Sequence, residues 1–81
     1  MIAIIRIALS NKDLESALAQ RYALVDAIED TNLGILISEG FGENQMEIVV
    51  EILDKHPFSS ELEKILNLLK LTEADIHYID D

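Results

Sequence analysis

The stretch that decides the fold is Met46-Glu47-Ile48-Val49-Val50-Glu51-Ile52-Leu53. With the two-residue period of a strand, Met46, Ile48, Val50 and Ile52 share one face, and Glu47, Val49 and Glu51 share the other. Ile48, Val49, Ile52 and Leu53 also match helical spacing, so periodicity by itself leaves both readings open. The β-branched run Ile48-Val49-Val50 favours an extended chain, as does the glycine-bearing stretch Glu39-Gly40-Phe41-Gly42-Glu43-Asn44 before it. Read as extended, residues 46–53 form a hairpin with a short strand over residues 35–39, and the two glycines and Asn44 supply the positive φ a reversal needs.

Working outward, residues 1–9 place Ala3, Ile5, Ile7 and Leu9 on one face and Ile2, Ile4, Arg6 and Ala8 on the other. Both sides are largely apolar, which predicts a central strand whose second face is only partly wet. From Asp13 the residues Leu14, Ala17, Leu18, Tyr22, Val25 and Ile28 step by three or four, the stripe of a helix. Asn11 suits its cap, Asp13 and Glu15 suit the positive end of its dipole, and Gly34 suits a left-handed stop. After the hairpin, Pro57 ends the third strand. Ser60 with Glu63 reads as a capping box that opens a second helix to about residue 71, burying Leu62, Ile65, Leu66 and Leu69. Residues 74–79 then alternate as a last strand, with Ile76 and Tyr78 opposite His77 and Ile79.

The order strand, helix, strand, strand, helix, strand resembles the ferredoxin-like α/β plait. The resemblance implies an α+β fold with a four-stranded antiparallel sheet in the order 4-1-3-2 and two helices on one face. Leu33-Gly34 followed by Gly40-Phe41-Gly42 also resembles the layout of small acidic bacterial plait proteins, a likeness that implies no activity. The fold hosts many unrelated functions, so function has to be argued from a site.

Composition narrows the classes. Eighty-one residues, 49% of them apolar, make a single domain over residues 1–81 with one modest core and no second lobe. With no cysteine, disulfides, thiolate zinc sites and cysteine nucleophiles are excluded, and a reducing cytoplasm is the natural location. The apolar start is interrupted by Arg6, follows no basic stretch and is about half the length of a membrane span, so it reads as a strand rather than a leader or anchor.

The formal charge is −10, and −8 of it lies from Glu39 onward, where eleven acids face Lys55, Lys64 and Lys70. Such a chain is repelled by nucleic acid and anionic lipid and attracted to basic proteins. RNA-recognition plaits stack bases on sheet aromatics; here those positions hold Ile2, Ile4, Arg6, Glu47, Val49 and Glu51. The arginine-bearing phosphate loop of acylphosphatase-like plaits has no counterpart in Ser10-Asn11-Lys12. ACT-like regulatory domains resemble the layout and imply amino-acid binding between two copies, though the glycine-rich turn that receives the ligand carboxylate is missing after the first strand.

Glu39, Glu43, Glu47 and Glu51 recur every fourth residue, which puts Glu47 and Glu51 on one strand face with Glu39 near Glu47 across the hairpin. The row reads either as an acidic surface for a partner or as a solvated face that keeps the chain soluble. Phe41 at the loop tip either folds back on the core or anchors a contact. Ile2, Ile4, Val49 and Ile79 fall on the sheet face away from the helices, an aliphatic patch of a kind that monomers seldom expose. Burying about 400 Å² of it per subunit contributes about 10 kcal/mol before association costs. His56 and His77 lack the spacing of a metal site and read as surface residues; no catalytic residue, metal or cofactor is expected.

The expected function is a non-enzymatic interaction module. Its acidic surface docks a basic protein, in the manner of immunity proteins, and its apolar sheet face associates with a second copy as a homodimer. The alternative is an ACT-like sensor of a small ligand.

Overall fold

Residues 46–52 run extended, and Leu53 bends away after the strand. The computed structural model describes residues 1–8, 14–42, 44–71 and 73–80. Along them lie β1 (Ile2–Ala8), α1 (Leu14–Thr31), β2 (Gly34–Gly42), β3 (Gln45–Ile52), α2 (Lys55–Leu68) and β4 (Ala74–Ile79). Met46, Ile48, Val50 and Ile52 are buried together on one face of β3. In a helix, successive members of that set would differ by about 200° and spread around the axis. Each such burial contributes about 1.5–3 kcal/mol, so the extended form wins.

The strands are hydrogen-bonded in the order β2-β3-β1-β4, all antiparallel. Counted from the β4 edge, the same neighbours read 4-1-3-2. This α+β arrangement is consistent with a ferredoxin-like plait. Ala3, Ile5 and Ile7 of β1 join the buried side of β3. The same cluster takes Leu24, Val25 and Ile28 from α1 and Phe58, Leu62 and Leu66 from α2, so both helices cover one face of the sheet. Among the described residues, no helix or loop covers the other face.

Four local readings are corrected. First, the α1 stripe is rotated: Ala17, Arg21, Leu24, Val25 and Ile28 face inward, and Tyr22 is exposed. Second, the left-handed residue that ends α1 is Asn32, at φ 58, and Gly34 has no positive φ. Thr31 Oγ1 donates to the Ile28 carbonyl at 2.6 Å and accepts from the Leu33 N–H at 3.1 Å, which satisfies groups a helix end leaves orphaned. Gly34 is needed for space, because a Cβ there would lie 2.5 Å from Val50 Cγ1.

Third, β2 extends through Gly40 and Gly42, which pair with Glu47 and Gln45; the positive φ at the reversal belongs to Asn44, at 61°. Fourth, α2 begins five residues before the expected cap. Asp54 is extended, at φ −138 and ψ 121, and its carboxylate accepts from the His56 N–H at 3.4 Å. Pro57 sits in the first turn, where a backbone N–H has no helical acceptor, and it costs nothing there. The earlier start brings Phe58 into the core. The expected Asn11 cap and Asp13 lie outside the described residues.

Candidate functional site on the open sheet face

The pairing registers lay the open face out in rows across β2, β3, β1 and β4. One row reads Ile35, Glu51, Ile2, Ile79. The next has Ser38, Val49, Ile4 and His77, and the third has Gly40, Glu47, Arg6 and Asp75. A bulge between Leu36 and Ser38 leaves Ile37 as an extra residue, so Ile37 and Ser38 together oppose Val49.

The four aliphatic residues expected on this face are therefore neighbours: Ile2 pairs with Ile79, and Ile4 pairs with Val49. The structure adds two that the sequence reading left unassigned, Ile35 at 71% exposure and Ile37 at 51%. Their alternation along residues 35–39 was visible, but the bulge that groups Ile37 with the face was not. Leu53, 96% exposed, extends the apolar margin past Ile35; with Leu33 and Glu51 these residues line a shallow depression of about 110 Å³.

The carboxylates split between the two faces. Glu47 meets Arg6 at 3.5 Å on the open face, and both are well exposed, so the pair itself contributes at most about 1 kcal/mol. Glu51 stands between Ile35 and Ile2, and Asp75 stands on the far side of Arg6. Glu39 pairs with Ile48, one position from Glu47, but its side chain is on the helix side, 3.4 Å from Arg21. A strand places neighbours two apart on one face, but the reversal after Gly42 pairs odd-numbered residues of β2 with even-numbered ones of β3, so Glu39 and Glu47 fall on opposite faces. Glu43 lies outside the described residues.

Phe41 is in β2 opposite Met46, and its ring carries the Arg21 guanidinium at 4.4 Å from the centroid. It belongs to the α1–β2 contact. His77 stands on the open face beside Ile4, and His56 is in the first turn of α2. Among the described residues, no three histidine, aspartate or glutamate side chains gather as a metal would require. Among them, too, no helix is long and apolar enough to cross a membrane.

What the open face offers chemically is contact. Ile2, Ile4, Val49 and Ile79 make it aliphatic, Glu51 stands among them, Glu47 and Asp75 flank Arg6, and Arg6 is already paired with Glu47. The chain matches no known family model and no curated protein.

Proposed function

We propose that the chain is a non-enzymatic interaction module that docks a basic protein on the open sheet face. The observation that carries the reading is the face itself: Ile2, Ile4, Val49, Ile35, Ile37 and Ile79 share one side of the sheet that no described element covers, with Glu51 among them and Glu47 and Asp75 beside them. Aliphatic contact supplies affinity, and the net charge of −10 supplies steering, so association is fast and weakens with salt. The test immobilises the chain and its Ile4→Lys variant and exposes both to lysate at about 0.05 and about 0.5 M salt. A basic protein held at low salt by the chain and released by the variant supports the reading. Equal retention by both sinks it.

A second reading, the homodimer, is favoured by the direct adjacency of Ile2 with Ile79 and of Ile4 with Val49. Salt separates the two readings by sign. Two chains of charge −10 repel, so self-association strengthens as salt rises, whereas attachment of a basic partner weakens. Light scattering across the salt series reads the difference.

A further inference from the structure

Helix α2 stops short of covering the sheet to its edge. Between it and β4 runs a groove of about 330 Å³, floored by Leu66, Leu71, Ala74 and Ile76. Its helix-side wall is Ser59, Glu63 and Asn67, one line of residues spaced by four along α2. Beside the groove, β4 is the last strand of the sheet and, among the described residues, pairs with β1 alone.

Two hydrogen bonds fix the backbone parity of that edge. Ala8 donates its N–H to the Glu73 carbonyl at 3.5 Å, in register with the β1–β4 ladder. On the other side of β1, Ile52 donates to the Met1 carbonyl at 2.8 Å, which gives β1 the same alternation. In an antiparallel ladder, Asp75, His77 and Ile79 then turn their N–H and C=O groups toward β1, while Ala74, Ile76 and Tyr78 turn theirs outward. A strand laid on this edge meets three outward backbone pairs. Its residues opposite them place their side chains on the helix side, over the groove.

Chemistry selects the occupant. An apolar floor with one carboxylate on the wall suits a side chain with a long aliphatic stem and a cationic head, which lies on Leu66, Leu71 and Ile76 and reaches Glu63. The strand's surroundings are acidic as well: Glu73, Asp75 and Asp80 are all exposed. The cation at the other end, Lys55, is occupied over the Tyr78 ring at 4.7 Å. A second copy of the chain fits poorly, because β4 against β4 would bring those same acids together from two molecules of charge −10.

We propose that β4 is a receiving edge: an extended segment of a basic partner, with arginine or lysine at alternate positions, adds to it as a fifth strand and seats those side chains between α2 and β4. This rests on the reading of the chain as a module for a basic partner, and it uses a surface distinct from the open face.

The test titrates the full chain with a synthetic peptide of about seven residues alternating arginine and valine, long enough to span the six residues of β4. Two controls accompany it: the same peptide N-methylated at alternate amides, and a glutamate–valine peptide. The expected result is binding by the first peptide, weakened roughly ten-fold or more by N-methylation, by Glu63→Lys and by Ala74→Pro, and unaffected by Ile4→Lys. Glu63 is exposed, and the Ala74 N–H faces outward, so neither substitution breaks the β1–β4 ladder. Equal binding by the methylated peptide would reduce the effect to charge attraction and overturn the proposal. So would a dimer through this edge that Glu63→Lys abolishes. No peptide binding, with partner capture still sensitive to Ile4→Lys, would overturn the receiving edge and leave the open-face reading standing.

Discussion

Arg21 is the residue whose environment departs most from its type. It is 9% exposed, holds Glu39 at 3.4 Å and lies over the Phe41 ring, while its Nε finds no hydrogen-bond partner among the described residues. A buried charge with one anionic partner is costly to orphan and cheap to replace as a pair. Glu39→Leu alone is therefore expected to lower stability by about 1–3 kcal/mol, the usual penalty for leaving a buried polar group unsatisfied. Adding Arg21→Met should recover most of that loss. Urea unfolding of the single and double variants checks it, and strictly additive losses would contradict it. Sequence periodicity could not have found this contact, because an arginine inside a stripe reads as a break in the stripe. Gly34 is constrained by space. Gly34→Ala puts a methyl 2.5 Å from Val50 Cγ1 and 3.3 Å from the Glu51 carbonyl oxygen, and the second neighbour is backbone that cannot step aside. A loss of about 1–3 kcal/mol in thermal or urea unfolding is expected. An unchanged midpoint would mean that β2 and β3 stand further apart than described.

At the scale of elements, α2 gives the sharpest test, since two residues compete for its start. Asp54 caps it through the His56 N–H, while Ser60 lies in its second turn with an exposed side chain. Asp54→Ala is expected to cost about 0.5–2 kcal/mol, and Ser60→Ala to cost almost nothing or to stabilise slightly, because alanine is the better former of helix interiors. Circular dichroism melts rank the two, and the reverse order would restore the later start. Ser60 with Glu63 imitates a capping box, and Pro57 imitates a barrier, because both signals are local. What overrides them is Phe58, whose burial requires the helix to begin before it. The strands were more legible than the helix ends. Ile48-Val49-Val50 and Ile76 to Ile79 alternate against one shared core, and a slip by a single residue would exchange their buried and exposed faces. The hairpin was legible as a reversal but not in its register, since the bulge at Ile37 changes which residues share a face without any mark in composition.

At the scale of the whole molecule, charge dominates what sequence and fold have in common. Sixteen acids stand against six bases, and among the described residues the ion pairs are Arg6 with Glu47, Arg21 with Glu39 and Lys64 with Glu61. The apolar patch was legible because Ile2, Ile4, Val49 and Ile79 follow from strand parity, as do Glu47 and Glu51; Glu39 was not, because its side chain turns to the helix side to meet Arg21. Most of the carboxylates are therefore left to repel one another across a chain whose Cα radius of gyration is only 11.8 Å. The screening length is about 10 Å at 0.1 M salt, close to that radius, so modest salt reaches most of the repulsion. Adding sodium chloride from about 0.02 to about 0.3 M should therefore raise Tm, by about 4–8 °C for each kcal/mol of self-repulsion removed. Two of the three ion pairs are exposed and worth little, so screening them subtracts only a fraction of that gain. Calorimetry at constant pH measures the slope. A falling Tm would mean that the few ion pairs outweigh the many unpaired acids, and the electrostatic attraction assigned to a basic partner would lose its footing with it, because both effects draw on the same unneutralised charge.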